Sequence, residues 1–387
     1  MKKIFSLHKE EYGTEPEVVT SAPGKINLMG EYTEFSEGYV LSVAIDRYVE
    51  VAVSKRADNS LRFYSVNYDE RKKTTISNLK KKKEDRWANY PKGVISSLLR
   101  IGCILKGVDI TIYGNIPEGI GLASSSALAI ALTVALKKLF ELELSEVQII
   151  EAARQSESVF LGQKTGISSF LLAYYAKEGQ AMFLDTRSLE YEYIPLQFLD
   201  HSFLITDTRI PPSLIEIDDE IDYYEDFRNI VKALSIKKSG GSSLRDFSKK
   251  DLSLSIEGIS EDTRRRSMHI MDENQRVLDM KTHLQQSDMI MCGRLLSRSH
   301  ESLRNQFDVS CPELDWLVKR AQETQGVYGS RLTGKGYGGC TVTLIENDKI
   351  ETYEEHLEEY ERIFGFKAED FICKPSMGVK TIFPEEG

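Results

Sequence analysis

Apolar and polar positions along the chain fall into two alternating kinds of segment. Tyr39 to Ser54 is dense in Val, Ile and Tyr, and Leu61 to Tyr68 has the same character, so both read as strands of an N-terminal sheet. Helical spacing follows at Tyr90 to Leu105, Ala127 to Phe140 and Ser145 to Leu161. His201 to Thr206 reads as the first strand of a second unit, and Met268 to Gln286 and Met289 to Arg304 as long helices. Strands and helices mixed in this order predict an α+β fold of two domains, residues 1–190 and 191–387, with the junction near Asp185 to Gln197. Lys237 to Ser243, KKSGGSS, reads as a flexible insertion. No internal repeat is visible.

Composition narrows the function more than the fold. A chain of 387 residues with 41% hydrophobic and 28% charged residues can bury roughly two ordinary cores. The formal net charge of −10 argues against non-specific nucleic-acid binding, so any anion site must be local. No apolar run approaches the ~20 residues that span a bilayer. The start, MKKIFSLHKEEYG, lacks the apolar core of a signal peptide, so a cytoplasmic location is expected. Cys103, Cys292, Cys311, Cys340 and Cys373 are scattered singly, without metal-ligand spacing, and read as reduced thiols. Lys80 to Lys83 is a basic run that reads as an exposed loop, with proximity to a nucleotide as the alternative.

The candidate chemistry lies in three glycine-rich segments. Gly114 to Ala129, GNIPEGIGLASSSALA, ends in an Ala-rich helical run. Gly119 and Gly121 let the backbone approach an anion, and Ser124, Ser125 and Ser126 offer hydroxyls beside the free amides of a helix N-terminus. The plainer alternative is a serine-capped helix after a turn. Neither Walker A nor the dinucleotide fingerprint fits. The second segment, Ser21 to Leu41, carries Lys25, Glu31, Tyr32 and Glu34; the third, Ser330 to Cys340, has glycines at 334, 336, 338 and 339.

Taken in this order and at these distances, the three segments resemble those of the GHMP small-molecule kinases, and within them the galactokinases. The resemblance is collinear through RWANYPKGV (Arg86 to Val94), FLDTRSLE (Phe183 to Glu190), HIMDENQRVL (His269 to Leu278) and KPSMG (Lys374 to Gly378). It implies a two-domain fold with the active site in the cleft between domains, and transfer of the γ-phosphoryl of ATP to a sugar hydroxyl with Mg²⁺ as cofactor. By resemblance, Gly119, Gly121, Ser124 and Ser125 hold phosphates, Trp87 lies against adenine, and Ser125 and Glu157 hold the metal. A core tryptophan and a surface glutamate are the alternatives for Trp87 and Glu157.

Departures from the family pattern cluster on the sugar side. The family's GIMDQF segment aligns with TGISSFL, Thr165 to Leu171, which places Ser169 where the family has an aspartate base. A serine cannot act as a carboxylate base at neutral pH. The usual arginine partner is Lys25; the usual sugar-binding histidine and aspartate are Tyr32 and Glu34, while Glu31 is kept. Gly166 and a tyrosine that is either Tyr224 or Tyr223 complete the implied sugar site, and the family's RHSL stretch aligns with PPSL, Pro211 to Leu214. Three readings follow: a kinase for galactose or a related monosaccharide, a kinase for another small alcohol, or a silent sensor that binds ATP and a ligand and signals through a protein partner.

Overall fold

The structure is a computed structural model and describes residues 2–117, 119–196, 200–210, 222–238, 240–253 and 259–384. Its strands are β1 (Val18–Met29), β2 (Tyr39–Lys55), β3 (Ser60–Ser65), β4 (Glu70–Thr75), β5 (Val108–Gly114), β6 (Gln180–Asp185) and β7 (Tyr191–Pro195). Then come β8 (His201–Asp207), β9 (Val327–Thr333), β10 (Cys340–Glu346), β11 (Glu369–Cys373) and β12 (Lys380–Phe383). The helices are α1 (Lys2–Tyr12), α2 (Asn89–Arg100), α3 (Ser124–Leu139), α4 (Glu146–Gln155), α5 (Ser168–Tyr175) and α6 (Tyr223–Lys237). They continue as α7 (Lys249–Ser253), α8 (Glu261–Gln285), α9 (Met289–Ser302), α10 (Pro312–Glu323) and α11 (Ile350–Phe364).

Two sheets organise these elements. The larger runs β12-β1-β2-β5-β3-β4, with β6 on the other end of β2 and β7 beyond it; the smaller runs β11-β8-β10-β9. β2 is long enough to serve two partners on one side: Tyr39–Ser42 pair with β6, and Val49–Lys55 pair with β5. The larger sheet therefore recruits β7, and also β12 from the far end of the chain, so it does not end at residue 190. A bridge between Ile45 and Pro375 ties the same returning segment to β2.

Helix α3 is buried on nearly every side because its residues are Ala, Leu, Ile and Val all round, and it packs on β1 and β2 and against α2, α4 and α5. The Thr20 hydroxyl donates to the Ala131 carbonyl at 2.8 Å, pinning the helix to β1. That bond fixes the position of α3 and of the glycine turn before it. Helix α4 starts at a full capping box between Ser145 and Gln148, and its end winds into a π turn, Ser156–Leu161. Helix α2 stops at Arg100, short of the expected Leu105, and Gly102 follows with φ +90°. One continuous apolar core joins both sheets, including Val43, Ile112, Ile130, Ile205 and Val342. Cys340 is part of it, fully buried.

Candidate active site

The first glycine segment meets the other two through backbone. Lys25 N–H donates to Leu122 O at 3.0 Å, so β1 is fastened to the loop at Lys25. From the other side, a Cβ built on Gly334 would stand 3.2 Å from Cα of Gly121, and both residues have φ +86°. The third glycine segment thus lies directly on the first. We expect Gly334→Ala to lower stability by about 1–2 kcal/mol, the cost of a left-handed non-glycine residue, and to be read as a lower denaturant midpoint.

At the start of α3, the residue before the helix is Ala123 in the left-handed region, and no side chain caps the first turn. The serines are therefore not spent as a cap, which removes the plainer alternative for this stretch. Ser124 and Ser125 line, with Gly119, Trp87, Tyr68 and Tyr90, a solvent-open cleft of about 290 Å³. Trp87 is half-buried; its Nε1 donates to Glu70 Oε2 at 3.0 Å, and its ring lies 6.4 Å from that of Tyr68 at 25°. Trp87 is thus part of the cleft wall rather than of the interior.

Glu157 sits on the π turn after α4 and is 4% exposed. Burial pushes its carboxyl up to about 7, with the Ser125 hydroxyl, Lys335 and the Thr165 hydroxyl pulling the other way. Its Oε1 is buried and has no hydrogen-bond partner among the described residues. It is not a surface glutamate. A cation beside Ser125 would satisfy this oxygen.

Around Lys25 the polar side chains are already bonded to one another. Lys25, 7% exposed, donates from Nζ to Ser168 Oγ at 2.9 Å. The hydroxyl facing the lysine is that of Ser168; Ser169, one position on, is half-buried and turns elsewhere on α5. Burial lowers the Lys25 pKa, opposed by Glu34 and then Glu31. Glu34 reaches Ser168 with both oxygens: Oε1 accepts from Ser168 N–H at 2.8 Å and Oε2 from its hydroxyl at 2.7 Å. The carboxylate lies over Gly166, where any Cβ would overlap it.

Glu31 is held by the protein itself. Its Oε1 accepts from Gly334 N–H at 2.7 Å and Thr333 Oγ1 at 3.2 Å and lies 3.0 Å from Arg331 Nη2, while Asn27 Nδ2 donates to Oε2 at 2.8 Å. In this geometry Glu31 joins β1 to the third glycine segment, and a sugar ligand role would require displacing these partners. Arg331, fully buried, was missed in the sequence because its partner lies 300 positions away. Tyr32 donates from its hydroxyl to Lys335 O at 2.6 Å and stacks on Phe307, centroids 4.0 Å apart. Of the two tyrosines on α6, Tyr223 packs edge-on to Tyr32, whereas Tyr224 feels the Glu34 charge and is pushed up to about 12 by burial and that charge. Of the two, Tyr224 is the one that feels Glu34. Pro211 to Leu214 lie outside the described residues.

The order of these elements matches three family models. Residues 6–55 match the galactokinase galactose-binding signature, 89–177 the GHMP kinases N terminal domain, and 280–362 the GHMP kinases C terminal. A putative galactokinase of Treponema pallidum (strain Nichols) is 35% identical over 389 residues, covering 99% of this chain and 97% of that one. The chain belongs to the galactokinase family of GHMP kinases. The galactokinase of Roseiflexus sp. (strain RS-1) is 34% identical, covering 99% of this chain and 96% of the relative. A Lactococcus lactis galactokinase complexed with galactose superimposes with a TM-score of 0.90 at 27% identity, covering 98% of this chain and 99% of that chain. A mevalonate kinase, TM-score 0.64 at 18% identity, shares the fold. As a member of the galactokinase family, the chain is a phosphotransferase that uses ATP and an alcohol acceptor. No helix among the described residues is long and apolar enough to cross a membrane.

Proposed function

We propose that the protein transfers the γ-phosphoryl of ATP to the anomeric hydroxyl of galactose or a closely related monosaccharide, in the cytoplasm. The observation that carries this reading is the buried Lys25 ammonium, locked by its own backbone to the phosphate loop and by its side chain to Ser168. A cation so placed can share the negative charge that spreads over the transferring phosphoryl. The uncapped first turn of α3 and the hydroxyl of Ser124 would hold the ATP phosphates. The five unpaired cysteines suit a reducing compartment.

Ser125 and the orphaned oxygen of Glu157 fit Mg²⁺, which takes few protein oxygens and completes its shell with phosphate oxygens and water. When bound, Mg²⁺ would neutralise charge on the β- and γ-phosphates. Trp87 would cover one face of adenine. Trp87→Ala is then expected to raise the KM for ATP about 10- to 100-fold, from ~1–3 kcal/mol of lost stacking, with kcat nearly unchanged in steady-state assays.

One observation favours a sugar other than galactose. Tyr32 and Glu34, which stand in the positions of the family's histidine and aspartate, are bulkier and both bonded to the protein itself, so the polar groups they would offer a sugar differ from the family's. The test is Mg·ATP turnover by the purified protein against galactose, other hexoses, pentoses and amino sugars, with the phosphorylated product identified. Product from galactose or a near relative supports the proposal. ATP binding without turnover on any sugar defeats it and leaves the sensor reading.

A further inference from the structure

We propose that Glu34, acting through the Ser168 hydroxyl, is the proton sink for the acceptor alcohol. This rests on the kinase reading above. Phosphoryl transfer to an alcohol releases one proton, and a site buried against the phosphate loop must give it somewhere to go. Ser168 Oγ is the atom at which the acceptor side and the phosphate side meet. It accepts from Lys25 Nζ at 2.9 Å and donates to Glu34 Oε2 at 2.7 Å, so the chain of atoms runs ammonium, hydroxyl, carboxylate. A serine alone is no base at neutral pH, but a hydroxyl already hydrogen-bonded to a carboxylate can pass a proton on as it receives one.

The carboxylate is held for this. The Ser168 N–H fixes its other oxygen at 2.8 Å, so Glu34 has both oxygens on one residue of α5 and cannot swing freely. Absence of a side chain at Gly166 leaves the room that the carboxylate occupies. In the step itself, the proton of the anomeric hydroxyl moves to Ser168 Oγ while the Ser168 proton moves to Glu34. The alcohol oxygen forms its bond to the γ-phosphorus with the electron pair so released. The bond from that phosphorus to the β,γ-bridging oxygen breaks, and its pair leaves on ADP. Lys25 keeps its proton throughout, and Glu34 returns its own to solvent with product. Ser168 would be the catalytic residue here and Glu34 a positioning residue that acts through it.

The experiment compares wild type, Glu34→Gln, Ser168→Ala, Ser168→Asp and the double variant Glu34→Gln/Ser168→Asp on the best sugar of the panel, with ATP binding as the check of folding. Glu34→Gln is expected to cut kcat about 10²- to 10³-fold and leave the sugar KM within about threefold. Ser168→Ala should fall as far, and the double variant should recover at least about tenfold over Glu34→Gln, because a carboxylate is again beside Lys25. Glu34→Gln with kcat near wild type, a change in sugar KM alone, or no recovery in a double variant that binds ATP would each overturn the relay. Should wild type phosphorylate no sugar, turnover gained by Ser168→Asp alone overturns the relay but leaves the kinase scaffold. Silence in both sinks the kinase reading and the relay with it.

Discussion

Replacing Lys25 by methionine is expected to lower kcat about a thousandfold, a loss of roughly 4 kcal/mol of transition-state stabilisation, with ATP still binding. The size of the effect follows from where the charge sits. Lys25 is 7% exposed, and its burial opposes the charged form, so the ammonium is held in place by Glu34 and Glu31 rather than by water. In such surroundings a fixed charge acts on the phosphoryl with little screening and without reorganising at the moment of transfer. Methionine fills nearly the same volume and keeps the stem packed, which separates loss of charge from loss of shape. Lys25→Arg is expected to retain activity within about tenfold of wild type, since its guanidinium can donate to both Ser168 and the phosphoryl oxygens. The pair of variants is read by single-turnover kinetics at saturating Mg·ATP. A methionine variant within tenfold of wild type would show that Lys25 only supports Ser168.

Much of this site was legible because its signals are local. An Ala-rich run after a glycine turn dictates a buried helix with a free N-terminus, and α3 starts three residues before the apolar run, at Ser124. The two long helices of the second half were legible in their apolar turns only. Helix α8 begins at Glu261 rather than Met268, because its first two turns are polar and rest on the Ser260 cap and on Glu261–Arg264 and Asp262–Arg265 pairs. What stayed hidden was direction and distance. Aligned on the family's GIMDQF, segment 165–171 puts Ser169 in the aspartate's place. Each step along a helix turns a side chain by about 100°, and only the backbone shows that Ser168 and not Ser169 faces Lys25. The partners of Glu31 on β9 and the return of β12 to the edge beside β1 are contacts between opposite ends of the chain, with no local trace.

Glu157 offers a prediction in which stability and activity move in opposite directions. In the metal-free protein its carboxyl titrates near 7, raised by burial, against 4.5 as the ordinary value. The folded state therefore binds the proton more tightly than the unfolded chain, so this group's contribution is fully present below pH 4.5 and is lost as pH rises through 7. By pH 8 the loss amounts to about 3 kcal/mol. Glu157→Gln keeps the shape and removes the ionisation, so in EDTA it should be more stable than wild type above pH 7 by up to that amount and no different below pH 4.5. Chemical denaturation across that range reads the difference. A bound cation would reverse the balance in wild type, because it needs the carboxylate, and the stabilisation by Mg·ATP should be large for wild type and small for the glutamine variant. In turnover, Glu157→Gln is expected to lose about 10²-fold or more in kcat and to respond weakly to added Mg²⁺. A glutamine variant that gains no stability at pH 8 and keeps its Mg²⁺ response would mean that the orphaned oxygen is satisfied in some other way. The metal would then have to be held by the nucleotide alone.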